Sequence, residues 1–332
     1  MAVVPGLFAP GEGEFAAVAQ RLRDAPVVHV VTHIRPDADA IGSASALALG
    51  LQSIGVEATV RIGQREAVPE NLDSIPGVTD VILGEPLPAE GLVVTTDCAS
   101  IDRTGSYRSV IQQERDRVVV IDHHESNPGF GSVNLVLPSE STTVIIRELF
   151  GHLGVEITPE MAYCLYAGLV TDTGSFRWGT PRMHLLAAEL MELGVEPRSA
   201  AMTLMDAVSA EDLRLMGAVM AGMETRVAGH HTMSVLAIDD EHLHGMNQTA
   251  VESIIEYSRA LTGSDIGVVF KELHPGYWSV SLRSSVVNVA EIAAAHGGGG
   301  HIPAAGYSAR GPVADAVDEL HATVAALDAT AL

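Results

Sequence analysis

RVVVIDHHESN, residues 117–127, decides the fold class. RVVVI shows no polar alternation, so it reads as a short strand buried on both faces. Asp122, His123 and His124 follow it without a break. Three titratable groups against a core edge are costly unless something satisfies them, and metal ligation with carboxylate–imidazole pairing does so. Outward from this stretch the same texture recurs. VVHVVT (27–32), ATVRIG (58–63), VTDVIL (78–83) and GLVVTT (91–96) read as further strands. AIGSASALALGLQSIG (40–55), TTVIIRELFGHLG (142–154) and PEMAYCLYAGLVTD (159–172) read as helices, the last two punctuated by Gly154 and Pro159. Short β-rich runs alternating with helical ones predict βαβ units, and hence an α/β domain with a mainly parallel sheet flanked by helices.

Beyond Pro197 the texture changes. AAMTLMDAVSAEDLRLMGAVMAGM (200–223) reads as one helical connector, with Met and Leu at the spacing of core or interdomain packing. A second unit then begins near Thr225, with strands HTMSVLAI, IGVVFKEL and YWSVSLRS, helices NQTAVESIIEYSRAL, NVAEIAAAH and VADAVDELHATVAAL, and the loop GGGGH (297–301). The expected division is a catalytic domain over 1–196, a linker over 197–224 and a smaller α/β substrate domain over 225–332.

The 332 residues carry 19 basic against 42 acidic side chains, a net charge of -23, and Lys271 is the lone lysine. Such a chain repels long polyanions, whose binding depends on releasing counterions to basic residues. A short nucleotide is not excluded, because a bound divalent cation reverses the local field. Cys98 and Cys164 are too few for a disulfide framework and fit no zinc or redox spacing. No apolar run approaches the roughly 18 residues of a membrane span, and MAVVPGLFAPGEGEF has neither the basic nor the apolar region of a signal peptide. The expectation is a cytoplasmic protein without a membrane partner.

Four segments place Asp or His where an apolar run ends, and open α/β sheets collect ligands at their carboxyl strand ends. VVTHIRPDADAIGS carries His33, Asp37 and Asp39; GLVVTTDCAS carries Asp97; RVVVIDHHESN carries Asp122, His123 and His124; AYCLYAGLVTDTGSF carries Asp172. Taken singly, Asp37, Asp39, Asp97 and Asp172 also read as turn or capping residues. Together they form a carboxylate-rich O/N set without thiolate, which suits Mn²⁺, then Mg²⁺, and not structural zinc. Two such ions clamp a phosphoryl group, which points to phosphoester hydrolysis.

The HxxxDxDAIGS loop, Asp97, the DHHxxN signature at Asp122 to Asn127 and the TDTGSF segment resemble the four motifs of the DHH phosphoesterase family, and GGGGH beside SLRS resembles its C-terminal substrate domain. The similarity runs from about Ala25 to the end. Its nearest branch is similar to the small oligoribonucleases that are also 3',5'-phosphoadenosine phosphatases, with members acting on cyclic dinucleotides. The resemblance implies that His33 and Asp37 hold one Mn²⁺, that Asp39, His123 and Asp172 hold the other, and that Asp97 bridges them, with Mg²⁺ or Co²⁺ as substitutes. It implies that Asp122 orients an imidazole, that His124 faces the scissile phosphate, and that a hydroxide between the ions attacks. Gly298, Gly299, Gly300, His301 and Arg283, with Arg103 as a weaker candidate, would hold the phosphate or base. The four glycines also read as an ordinary flexible loop. With metals on one domain and phosphate contacts on the other, a short oligoribonucleotide or dinucleotide is the expected partner, long nucleic acid is not, and the Met-rich connector suits a homodimer. Pyrophosphatase, single-strand exonuclease and silent nucleotide sensor are the rival readings.

Overall fold

Strands too apolar to face water on either side need a sheet covered on both faces, and the computed structural model has one in its first unit. The structure describes residues 6–9 and 14–327; most of MAVVPGLFAPGEGEF and the last five residues of the expected second domain lie outside the described residues. The chain divides into Met1–Asp206 and Ala207–Leu332. The first unit runs α1 (Phe15–Asp24), β1 (Val27–Thr32), α2 (Ala38–Ser53), β2 (Glu57–Ile62), β3 (Ile82–Leu83), β4 (Leu92–Thr96), α3 (Arg108–Gln113), β5 (Val118–Asp122), β6 (Val133–Val136), α4 (Thr142–Leu153), α5 (Pro159–Asp172), α6 (Pro181–Glu192) and α7 (Pro197–Leu204). The six strands among its described residues are all parallel, in the order β3-β2-β1-β4-β5-β6. The order reverses between β1 and β4, and such a switch point opens a crevice outside the carboxyl strand ends.

One sheet face packs on α1, α2, α4 and α5 through Val28, Val30, Ile41, Leu47, Ile146 and Leu165. On the other, Val31, Val93, Val118 and Val120 meet Tyr107, Ile111 and Phe130. The α2–α5 crossing requires glycine. A Cβ on Gly42 would land on the Cys164 carbonyl, and one on Gly168 would land on Asp39 Oδ1. VTDVIL departs from expectation: only Ile82 and Leu83 pair, while Val78–Asp80 forms a 3₁₀ turn entered through Gly77 at φ 85°. The four-residue β6 buries only Leu135 fully and left no readable alternation.

The second unit contains α8 (Ala210–Ala221), β7 (Glu224–Ala228), β8 (His231–Ile238), α9 (Asp240–Gly245), α10 (Gln248–Arg259), β9 (Ile266–His274), β10 (Tyr277–Arg283), α11 (Val289–Ala295), β11 (Gly299–His301), β12 (Ala304–Arg310) and α12 (Val313–Leu327). Its sheet, ordered β11-β12-β10-β9-β8-β7, is antiparallel except for β8 beside β9. Val280, Leu282, Val289 and Leu320 fill the core on one face. Met216, Val219, Ile254 and Val269 fill it on the other.

The run 200–223 is not one helix. Leu204 ends α7 in the first core, and Ser209 starts α8 through a reciprocal capping box with Asp212. The overlooked signal is Ser-x-x-Asp before an apolar run, which begins a helix rather than continuing one. GGGGH is not a loop either. Gly297, at φ 74°, ends α11, Gly298 N donates to the Ala293 carbonyl, and Gly299–His301 pairs with Ala304–Gly306 as β11.

Candidate metal centre

β1, β4 and β5 are sheet neighbours astride the switch point, and His33, Asp97 and the Asp122–His124 run lie at their carboxyl ends. Asp37 caps α2 by accepting from Ala40 N, so the capping role considered for it is real. Its other oxygen, Oδ2, faces His33 Nε2 at 3.5 Å, and Asp97 Oδ2 faces the same nitrogen at 3.5 Å. Around His123 Nε2 stand Asp172 Oδ2 at 3.3 Å, Asp97 Oδ1 at 3.5 Å and Asp39 Oδ2 at 3.9 Å. The two groups share Asp97, one oxygen each. Asp97 is 2% exposed, at φ 58°, a left-handed conformation that non-glycine residues adopt at functional sites under strain.

These spacings suit divalent ions. Ligands about 2.0–2.2 Å from one ion stand roughly 3–3.5 Å from each other. His33, Asp37 and Asp97 form one compact donor set and Asp39, His123 and Asp172 another. His123 Nδ1 lies 3.2 Å from the Ser139 carbonyl; donating there leaves the Nε2 lone pair for the carboxylate side, the usual arrangement of a ligating histidine. His33 Nδ1 has the Ile34 carbonyl at 3.0 Å and Arg103 Nη2 at 2.9 Å, contacts that call for opposite tautomers. Only the carbonyl contact is compatible with Nε2 as a ligand.

The electrostatics also ask for cations. Burial, then the neighbouring Asp37 charge, lifts the Asp39 carboxyl to about 6. Burial and the Asp39 charge lift Asp97 to about 6. For His33, burial and Arg103 press downward, but Asp37 and Asp97 prevail and raise it to about 9.

Asp122 is engaged differently. It accepts from His123 N at 2.8 Å, His124 Nδ1 at 2.8 Å and Asn127 Nδ2 at 2.6 Å. Burial pushes its carboxyl up, but the His124 bond and the other donors hold it below the usual range. His124, whose side chain is 21% exposed, is pressed down by burial and raised on balance by Asp122 and Asp97.

Sequence reading missed the start of α4. Asp39 accepts from Thr142 N at 2.7 Å and Thr143 N at 3.1 Å, and Thr142 Oγ1 donates to Asp97 Oδ1 at 3.1 Å. The only signal was a run of hydroxyl residues before an apolar helix, which reads as an ordinary cap.

Arg103, expected near substrate, lies against His33 in the first unit. In the second unit Arg283 and His301 both pair with Ala304, so they share one row and one face at the sheet's end. Arg283 Nε lies 3.8 Å from Glu256 Oε1. Gly299 and Gly300 are in β11, and two of the run's amides, those of Gly297 and Gly298, already donate to the end of α11.

The DHH family N-terminal domain matches residues 27–169 and the DHHA1 domain matches residues 216–328. The bifunctional oligoribonuclease and PAP phosphatase NrnA of Thermus thermophilus is 32% identical over 288 residues, 86% of this chain and 84% of its own. A "probable" enzyme of the same name from Streptococcus mutans is 25% identical over 88% of this chain and 92% of its own. An exopolyphosphatase-related protein from Bacteroides fragilis superposes with a TM-score of 0.82 at 22% identity, covering 98% of this chain and 97% of its own, which shows the shared fold. With two domain matches in order and a relative of this identity over most of both chains, the chain belongs to the DHH family of phosphoester hydrolases.

Proposed function

We propose that this chain is a Mn²⁺-dependent phosphodiesterase and phosphatase that releases mononucleotides from di- to tetranucleotides, 3',5'-phosphoadenosine phosphate and linear or cyclic diadenylate. The observation that carries this reading is the division of Asp97, one oxygen in the set with His33 and Asp37, the other facing His123, which itself stands in a set with Asp39 and Asp172. In this reading His33 and Asp37 would hold one ion, Asp39, His123 and Asp172 would hold the second, and Asp97 would serve both. Two Mn²⁺ ions, with Mg²⁺ or Co²⁺ as substitutes, would supply an activated water and neutralise charge on the phosphoryl oxygens.

The chain's own groups do the rest. Asp122 fixes the His124 ring through Nδ1, and His124 then donates a proton to the phosphate or the leaving oxygen. Arg283, His301 and the Gly299–Gly300 backbone bind the terminal phosphate or base, with Arg103 as a further contact and Gly298, its amide spent on α11, shaping the approach. The net charge of -23 supports short substrates over long RNA, since repulsion grows with every added phosphate. The protein is proposed to act in the cytoplasm as a homodimer, and Met202 and Leu213, 56% and 64% exposed, are apolar surface suited to a second copy.

A Mn²⁺ activity panel of pApA, cyclic diadenylate, 3',5'-phosphoadenosine phosphate, pyrophosphate and a ten-nucleotide RNA tests the reading. The dinucleotide or the phosphoadenosine should turn over fastest. Fastest turnover of pyrophosphate, or of the ten-nucleotide RNA, would overturn it.

A further inference from the structure

Thr142 belongs to neither donor set, yet it touches a carboxylate of each. Its amide donates to Asp39 Oδ2 at 2.7 Å and its hydroxyl donates to Asp97 Oδ1 at 3.1 Å. It is itself fully buried, in the first turn of α4, where amides lack a helical acceptor and Asp39 supplies one. Thr143 completes the clasp, its amide on Asp39 Oδ1 at 3.1 Å and its hydroxyl 2.6 Å from Ser141 Oγ.

Asp97 needs such a clasp. A carboxylate turns readily about its last torsion, whose preferences are broad and two-fold. A bond to one named oxygen helps to keep the other facing His33. Thr142 Oγ1 makes that bond, and it does so on Oδ1, the oxygen that also faces His123 at 3.5 Å.

We infer that Thr142 is a positioning residue of the metal centre, whose hydroxyl sets the plane of Asp97 so that one carboxylate oxygen serves each ion, while its amide fixes Asp39 in the same frame. The inference rests on the two-ion reading proposed above. Pre-organisation of this kind places the cost of ordering two buried carboxylates on folding rather than on ion capture.

The test is calorimetric titration of Mn²⁺ into metal-stripped protein. Thr142→Val keeps the shape and the amide but loses the hydroxyl; Thr142→Ser keeps the hydroxyl. Wild type and Thr142→Ser should bind two ions with equal affinity. Thr142→Val should bind about 10- to 100-fold more weakly, with an unchanged substrate KM at saturating Mn²⁺ and a cooperative melt in chelator at a lowered temperature, because Asp97 loses a buried donor. Should the Val variant lose its fold in chelator, Thr142→Ala takes its place in the same titration. A wild-type isotherm for the hydroxyl-free variant overturns the inference and leaves the two-ion reading standing. So does an equal loss in Thr142→Ser, which would assign the effect to packing. A wild-type protein that binds no divalent ion overturns both.

Discussion

Asp97 combines the features that folding alone disfavours: a left-handed backbone, burial, and other carboxylates at close range. Such a residue costs on the order of 1–3 kcal/mol in backbone strain alone. Asp97→Gly should therefore stabilise the metal-stripped protein by about 1 kcal/mol while removing Mn²⁺ binding and turnover. Denaturant unfolding in chelator beside a Mn²⁺ activity assay measures both, and a destabilised chelated variant would show that strain is not stored there. At this scale the sequence was readable where an acidic or imidazole group ended an apolar run, because nothing local explains such a group. Thr142 and Thr143 were not readable. A hydroxyl at a helix start has a sufficient local explanation as a cap, and the acceptors Thr142 uses, Asp39 for its amide and Asp97 for its hydroxyl, lie 103 and 45 residues away.

Elements hold these residues at a close approach that substitution can address, and an open helical position in α4 serves as the control. Gly168 lets α5 approach Asp39, so Gly168→Ala should cost about 1–3 kcal/mol by overpacking and weaken Mn²⁺ binding with it. Gly151, in α4, has nothing within 4 Å of an added Cβ. Gly151→Ala should raise stability by about 0.5–1 kcal/mol through helix propensity with activity unchanged. Chemical denaturation of both variants decides the pair.

Glu140, just ahead of α4, accepts from Thr180 N at 3.0 Å and Arg182 Nε at 2.8 Å. Burial pushes its carboxyl up, but the Thr180 hydroxyl and Arg182 hold it below its ordinary value of 4.5. A folded pKa below the unfolded one means stabilisation that is complete above 4.5 and lost as pH falls through the folded value. The stability gap between wild type and Glu140→Gln should shrink as pH is lowered below about 4.5, followed by urea melts at several pH values. A constant gap would assign the bond no electrostatic share. Among the elements, the apolar parallel strands were legible from composition. β6, β7 and the β11–β12 pair were not, and β3 was read too long: β3, β6 and β11 carry too few side chains to show a period, and ETRVA in β7 buries only Ala228 fully.

On the scale of the whole chain, each unit has its own sheet and its own cores, and both proposed ion sites draw all their ligands from the first. Ligand binding to the native state stabilises by mass action, about 2.7 kcal/mol at a hundred times the dissociation constant. Hydrogen exchange with and without Mn²⁺ should therefore slow in β1, β4 and β5, with little change in β7 to β10. Uniform slowing across both units would contradict the placement of the ions. The two-unit plan was legible from the change of texture after Pro197. The joint was not, because Met and Leu spacing continues through the break between α7 and α8, and only the Ser209–Asp212 cap marks it.

The glycine run has a consequence for how this chain tolerates insertions and deletions. Its four members are alike in sequence and differ in what they do. One ends a helix, one leaves room for the Gly306 carbonyl and the base of Tyr307, and two begin a strand. Side chains in a strand alternate between faces, so removing a single glycine would either unwind the end of α11 or turn His301 toward the opposite side from Arg283. What the run specifies is a count. A neighbouring sequence of three or five glycines would keep the flexibility and lose the alignment.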